Sequence, residues 1–419
     1  MNFYTPEEDS HMAKLVLENH LPGKRINNSL EIGCSGGYLS KTILRYSNNH
    51  VAVDINPYAL TEARSFLRKY LNKKNKHVEI INSDLFENVP PKKYDIIMFN
   101  PPYLPAQKND PDKGPEGWIT KAIVGGKKGY EIILRFLEDL PNFLAEDGKC
   151  YLVFSSLSKQ DIILEAITNK LCGYHLLDHK KIMGEDLFLY EIFKSPLLIN
   201  LEKKGITNIK FFKKGKRGKV FTAEKKVTEK EKCRIKKIGI KLLYNFDAKN
   251  SIEKEIKNLK YVNKFNVGPK FLEGEKNYVI YEFVDGIPIV DFYETFKKDE
   301  IKEIILQTID QCRLMDKNQF EKKEMTNPYK HIIIKRISGK NLTKKIKVVL
   351  IDFERGVKKK RCKNVTQFLE YLTKSKFAHK LNEKGIFFED FKELAKDYIL
   401  NNNDGTYLEI IKSIKKSFT

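Results

Sequence analysis

The stretch Met98-Phe-Asn-Pro-Pro-Tyr-Leu-Pro105 closes an apolar run with an asparagine, two prolines and a tyrosine. A residue before proline is pushed out of the helical region, so Asn100 and Pro101 are expected to be extended. The prolines stiffen the loop and remove two N–H donors. Acceptors remain: the Asn100 side-chain oxygen and the Pro101 carbonyl. Two convergent acceptors suit a planar NH2 group, which carries two donors, and Tyr103 can stack on such a plane. An amide or exocyclic amine is a poor nucleophile because its lone pair is delocalised. Holding it in line with an electrophilic methyl group supplies orientation and electrostatic help. Asn100, Pro101 and Tyr103 are therefore the expected catalytic residues.

Upstream, Ser29-Leu-Glu-Ile-Gly-Cys-Ser-Gly-Gly37 reads as a strand entering a small-residue turn and then a helix. Gly33, Ser35, Gly36 and Gly37 allow a ligand close to the backbone. About 20 residues on, a strand ends in Asp54, where an acid can bind ribose hydroxyls. The next strand ends in Asp84. The turn is G-x-S-G-G rather than the G-x-G-x-x-G of dinucleotide enzymes. Glu31 before it favours a cationic ligand such as S-adenosylmethionine.

A second constellation lies downstream. Gly215 and Gly218 separate two strand-like runs, and a glycine hairpin of this kind can cover phosphates with backbone N–H groups. Lys241 falls on a later strand and Glu255 on a helix, the pairing by which protein kinases hold nucleotide phosphates. Asp352-Phe353-Glu354 ends a strand, and Asp352 is the expected magnesium ligand. A His-Arg-Asp catalytic loop is missing; Phe320-Glu-Lys-Lys-Glu-Met-Thr-Asn-Pro-Tyr-Lys-His331 stands there. Glu324 is the candidate to stand in for the catalytic aspartate as base, and Lys330 or His331 occupies the region of the metal-binding asparagine.

Positioning these residues requires particular elements. From Ser29 to Ser195, strand-like runs rich in Val and Ile alternate with amphipathic helices, which argues for a parallel sheet covered on both faces. The last two runs, Gly173–Lys181 and Asp186–Ser195, are expected to form an antiparallel hairpin at one edge. The pattern changes near Pro196, giving expected domains 1–196 and 199–419. No run of about 18 apolar residues predicts a membrane span. The six cysteines form no C-x-x-C pair, so neither a zinc site nor a disulfide framework is expected, and a reduced, cytoplasmic setting fits. A net charge of +22 attracts polyanions, including RNA or the ribosome; a lysine-rich composition alone gives the same number.

Glu31-Ile-Gly-Cys-Ser-Gly-Gly37, Asp54, Asp84 and Asn100-Pro-Pro-Tyr103 resemble the class I, HemK-type methyltransferases. Tyr4-Thr-Pro-Glu-Glu-Asp-Ser10 and the Gly125-Gly126, Gly129, Arg135-Phe136 segment resemble the archaeal and eukaryotic branch. The resemblance implies a Rossmann-like, mostly parallel seven-stranded sheet and methylation of the GGQ glutamine of a class-1 peptide release factor. It implies that Asn100 holds the glutamine amide, and that Ser10, Glu31, Gly33, Ser35, Gly37, Asp54, Asp84 and Leu85 serve S-adenosylmethionine. A small zinc-binding activator subunit is the implied partner. The alternative is an adenine-N6 methyltransferase acting on DNA or RNA. From Ile199 to about Leu372 the chain resembles archaeal kinases related to the RIO type. This implies an α+β protein-kinase-like domain with a helical C-terminal tail, either a serine/threonine kinase with ATP and Mg or a pseudokinase, its expected nucleotide site formed by Gly215, Gly218, Lys241, Glu255, Glu324 and Asp352.

Overall fold

The computed structural model describes residues 3–71, 76–108, 114–182, 184–215, 217–229, 232–243, 249–292, 295–338, 344–389, 391–401 and 403–418. The chain divides into two compact units, Met1–Gly205 and Ile206–Thr419. The division falls one helix beyond the boundary expected near Pro196.

In the first unit, helix α1 (Glu8–His20) precedes strand β1 (Ile26–Ile32), helix α2 (Tyr38–Ile43), strand β2 (Ser47–Asp54), helix α3 (Pro57–Leu71) and strands β3 (His77–Asn82) and β4 (Tyr94–Phe99). A short excursion follows: β5 (Leu104–Pro105), α4 (Gly114–Ile123) and β6 (Val124–Gly126). Then come α5 (Glu131–Phe143), β7 (Leu144–Ser155), α6 (Gln160–Asn169), β8 (Cys172–Ile182), β9 (Glu185–Lys194) and α7 (Pro196–Lys203). The seven-stranded sheet has the order β3-β2-β1-β4-β7-β9-β8. β1 to β4 and β7 are parallel; β9 runs antiparallel to both β7 and β8, so the expected edge hairpin is present. This is the class I methyltransferase order. Central strands buried on both faces must be apolar throughout, and Ile96 to Phe99 and Tyr151 to Phe154 are all buried.

The order reverses between β1 and β4, and ligands bind beyond the carboxyl ends of strands at such a reversal. Register makes this concrete. Ile32 lies opposite both Val53 and Phe99, and Asp54 opposite Asn82. The residues just beyond these strands therefore converge: Gly33, Asp54, Ser83–Asp84 and Asn100.

The second unit opens with β10 (Ile206–Lys214), β11 (Gly218–Glu229), β12 (Lys232–Leu243), α8 (Lys249–Asn263), β13 (Phe271–Glu275) and β14 (Tyr278–Glu282). Its strands form one antiparallel sheet, β10-β11-β12-β14-β13. Next are β15 (Ile287–Pro288), α9 (Ile289–Phe292), α10 (Lys298–Lys317), β16 (Phe320–Glu321), β17 (Ile332–Ser338), β18 (Lys344–Leu350) and β19 (Val357–Lys358). Four helices finish the unit: α11 (Asn364–Lys374), α12 (Lys376–Glu383), α13 (Lys392–Asn401) and α14 (Asp404–Lys416). One apolar core runs from Ile252 through α10 and the β17–β18 hairpin to Ile414. No helix among the described residues is long and apolar enough to cross a membrane.

Candidate active site

A cavity of about 450 Å³ opens at the carboxyl ends of β1, β2 and β4. Ser10, Glu31, Gly33, Ser35, Asp54, Asp84, Leu85 and Asn100 all line it. Its size is that of a small-molecule site. The turn after β1 is held open by left-handed residues: Gly33 has φ 66° and Ser35 has φ 44°. The Ser35 N–H donates to Asp54 Oδ2 at 2.8 Å, and its hydroxyl donates to the Tyr4 carbonyl at 2.6 Å. Ser35 thus ties the N-terminal segment to the turn, something a glycine in its place has no hydroxyl to do. Asp54 Oδ1 accepts from the Asn56 N–H at 2.8 Å. Each carboxylate oxygen has a second lone pair for a ribose hydroxyl. Leu85 is also left-handed, at φ 48°, and Asp84 pairs with Arg135 at 2.9 Å across the cavity wall.

Gly37 has a different place from the one expected. It is absent from the cavity lining. It takes φ 85° at the start of α2, where a Cβ would stand 3.2 Å from Leu67 and 3.6 Å from the backbone of Ala63. A side chain there would crowd Leu67 and Ala63, so glycine allows α2 to pack closely on α3.

Glu31 is buried at the cavity floor and accepts a hydrogen bond from the Ser40 hydroxyl. Burial pushes its pKa up to about 8. The Ser40 oxygen lies 2.9 Å from His50 Nε2, and His50 Nδ1 lies 2.9 Å from the Ser29 hydroxyl. Burial lowers the His50 pKa to about 3, so the ring is neutral. With Glu31 ionised, the proton directions are set: Ser29 donates to Nδ1, Nε2–H to Ser40, and Ser40 to Glu31.

Asn100 stands where this cavity meets a second one of about 180 Å³. Pro101, Tyr103, Glu7, Asp9 and Glu185 also line the second cavity. The Asn100 amide nitrogen reaches the Ser10 hydroxyl at 3.4 Å. Its Oδ1 is buried and has no hydrogen-bond partner among the described residues. Tyr103 donates to Asp9 Oδ2 at 3.1 Å, and Tyr4 donates to Oδ1 at 2.8 Å. The excursion β5-α4-β6 braces the loop from outside. Tyr103 N–H donates to the Ile123 carbonyl and Ala106 N–H to the Gly126 carbonyl. A Cβ on Gly125 would stand 2.4 Å from the Pro102 carbonyl oxygen, and one on Gly129 2.4 Å from that of Tyr103. Only glycine fits there, which gives the Gly125-Gly126, Gly129 pattern a structural cause.

In the second unit, Lys241 on β12 contacts Glu255 of α8 at 2.6 Å, Asp352 at 3.3 Å and Glu354 at 3.5 Å. Burial opposes the lysine charge, but Glu255 and Asp352 outweigh it, and the Lys241 pKa lies above the usual value. Gly215 and Gly218 close the β10–β11 hairpin through a 2.8 Å backbone bond. Arg217, between them, pairs with Glu354. Glu324 pairs with Lys322 at 3.3 Å. Lys322 is fully buried and also donates to the Asp352 carbonyl.

A model of the methyltransferase small domain matches residues 9–116. A Methanocaldococcus jannaschii protein named for N5-glutamine methyltransferase activity is 38% identical over 156 residues, covering 37% of this chain and 73% of that protein. The chain belongs to the HemK-type protein glutamine methyltransferases. This HemK-type chain is an S-adenosylmethionine-dependent N-methyltransferase. Two further relatives are matched over about half their own length. The ribosomal protein uL3 glutamine methyltransferase of Xanthomonas campestris is 30% identical, over 33% of this chain and 46% of the relative. The release factor glutamine methyltransferase of Streptococcus pneumoniae is 28% identical, over 35% of this chain and 51% of the relative.

The HemK-type site contains residues that sequence reading passed over. Asp9 holds both Tyr4 and Tyr103; its only signal was its place in the Tyr4–Ser10 segment. Ser40 and His50 sit behind Glu31; separately, in the second unit, Lys322 and Arg217 join the cluster around Lys241. None of these stands out by spacing, because each partner comes from a different element.

Proposed function

We propose that the first unit transfers a methyl group to the side-chain nitrogen of a glutamine in the GGQ loop of a class-1 peptide release factor. The observation that carries this reading is the buried, unpartnered Oδ1 of Asn100 at the junction of two cavities. A buried acceptor without a donor costs about 1–3 kcal/mol, and an incoming amide N–H relieves it. S-adenosylmethionine, held by Glu31, Asp54, Asp84 and the Gly33–Gly36 turn, supplies an electrophilic methyl on a positively charged sulfur. Asn100 Oδ1 and the Pro101 carbonyl accept the two amide hydrogens and keep the nitrogen lone pair directed at that carbon. With the donor bound, the acceptor nitrogen would form the new bond to the methyl carbon, the carbon–sulfur pair would leave with sulfur, and one nitrogen-bound proton would pass to water. Tyr103, fixed by Asp9, limits rotation of the acceptor amide. The choice of a release factor rests on the resemblance of Tyr4–Ser10 and Gly125–Gly129 to the archaeal and eukaryotic branch, and a small zinc-binding activator belongs to the same reading.

The test offers labelled S-adenosylmethionine with release factor, tRNA and DNA side by side, with and without a candidate activator. Label on the release factor that disappears when its GGQ glutamine is replaced is the expected result; label on nucleic acid turns the reading to adenine-N6. Asn100→Ala should lower turnover by about 10²–10³-fold, as loss of a preorganised polar contact does elsewhere, while donor binding persists.

For the second unit we propose a nucleoside-triphosphate site. The Lys241–Glu255 pair supports it, with the glycine hairpin above and Asp352 beside it. ATP and a divalent cation would be held by Gly215, Gly218, Lys241 and Asp352, with Glu324 at the same cluster. Lys241→Met and Asp352→Asn should each abolish ATP binding by the full chain; binding that survives both overturns the assignment.

A further inference from the structure

Ser29 and Glu31 stand two residues apart on β1, so their side chains share one face of the sheet. His50 lies opposite Ser29 in the β1–β2 register, and α2 brings Ser40 over the same face. Ser29, Glu31, Ser40, Ser47 and His50 are all buried. Buried polar groups are costly unless each finds a partner, and here they are joined in one file. Ser40 bonds Glu31; His50 Nε2 lies 2.9 Å from Ser40 Oγ, and Nδ1 lies 2.9 Å from Ser29 Oγ. Ser29 Oγ lies 2.8 Å from Ser47 Oγ, which in turn reaches the Asn49 carbonyl at 2.8 Å.

The file admits two proton arrangements. With Glu31 ionised, Ser40 donates to it, Nε2–H donates to Ser40, Ser29 donates to Nδ1, and Ser47 donates to Ser29. With Glu31 protonated, its O–H donates to Ser40. The Ser40 hydroxyl contacts only Glu31 and His50 among the described residues, so its own proton must then go to Nε2. The ring proton sits on Nδ1 and is donated to Ser29, which donates to Ser47, and Ser47 donates to the Asn49 carbonyl. The two arrangements differ by one proton, exchanged with solvent through the cavity that Glu31 lines. The imidazole carries one proton in both, on a different nitrogen in each. Burial keeps the ring neutral throughout.

Burial is the largest influence on Glu31 and opposes its ionisation; the Ser40 hydrogen bond favours it, and Asp54 at the end of β2 opposes it. The Cys34 thiol in the turn also faces Glu31. From β4 the residue opposite Glu31 is Met98, which carries no charge. Ser40 is therefore the hydrogen-bond donor that steadies the ionised carboxylate, and it does so without cancelling the charge, as a lysine would.

We infer that Ser40 and His50 are positioning residues for the methyl donor: the imidazole changes tautomer with the charge of Glu31, and so keeps the Ser40 hydroxyl aimed at the ionised carboxylate that a cationic donor selects. The donor part rests on the reading of the first unit given above; the tautomer exchange does not.

The experiment uses the full chain, labelled with nitrogen-15 at its eight histidines. Two-bond proton–nitrogen correlation spectra distinguish the tautomers, and His50→Gln identifies the His50 signals. The ring should be protonated at Nδ1 near about pH 6 without donor, and at Nε2 near about pH 9. Adding S-adenosylmethionine at neutral pH should bring the Nε2–H form, and Glu31→Gln should hold one tautomer across the whole range. One tautomer under all conditions in the native chain overturns the exchange, with no variant needed. Calorimetry then follows S-adenosylmethionine alone, so no acceptor enters. Ser40→Ala should weaken binding by about tenfold at neutral pH, the loss of one hydrogen bond to a charged group, and the gap should close as the pH is raised past that at which Glu31 ionises unaided. Ser40→Thr, which keeps the hydroxyl, should restore affinity. Thermal unfolding establishes that the variants are folded. Native affinity in Ser40→Ala, or a loss equal at every pH, overturns the positioning role. A tautomer that follows pH but ignores S-adenosylmethionine overturns the placing of Glu31 at the donor and leaves the exchange standing.

Discussion

Glu31 is the buried acid of the first cavity. Its carboxyl is buried, and its pKa rises to about 8 before any cation arrives. At neutral pH the group is mostly protonated. A positively charged ligand favours the ionised form, so binding must release a proton. Donor affinity should therefore rise by up to about tenfold per pH unit as pH increases toward 8 and level off above it. Calorimetry in buffers of different ionisation enthalpy checks this: proton release at pH 7, little at pH 9, and a flat profile in Glu31→Gln. The neighbouring His50 stays neutral throughout this range, so the ring behind Ser40 keeps its charge while Glu31 titrates.

At the scale of elements, the braced loop after β4 is the part most exposed to a single substitution. Gly129 has φ 84°, and a Cβ there would stand 2.4 Å from the Tyr103 carbonyl oxygen. Gly129→Ala should displace the Asn100–Tyr103 loop from its brace. Geometry at a reacting centre is steep, and an error of about 1 Å can cost roughly 10²-fold. The expected outcome is a fall in kcat of at least about tenfold, with donor affinity within about threefold of native, because Gly33, Asp54 and Asp84 lie on other strands. An equal loss in both quantities would mean that the loop also builds the donor pocket.

At the scale of the whole molecule, two units each carry their own core. The first closes with α7, whose Ser195 side chain caps the helix and whose Glu202 pairs with buried Lys194 at 2.7 Å. A fragment ending at Gly205 keeps these contacts, and one ending at Pro196 loses them. Residues 1–205 should unfold cooperatively and bind S-adenosylmethionine with native affinity. Residues 1–196 should unfold at a lower temperature, since the Lys194 ammonium would be left buried without its partner. Thermal unfolding of the two fragments, followed by calorimetric titration, decides this.

The alternation of strand and helix, the glycine turn after β1, the acids at two strand ends and the Asn100-Pro-Pro-Tyr103 loop were legible in the sequence, because each is a local pattern set by backbone preference or by periodicity along one element. The class I order of the sheet agrees with what the resemblance implied. Gly37 packs against Leu67 and Ala63 of α3 rather than lining the cavity, and glycine serves close helix packing as readily as ligand approach, so neighbours from another element are needed to tell the two apart. Asp9, Ser40, His50, Lys322 and Arg217 act only through partners brought from other segments, so nothing in their own spacing marks them. The sequence by itself determined which chemistry the strand ends carry. Tertiary structure decided which groups share protons and charges, because strand register and burial, rather than sequence distance, set those contacts.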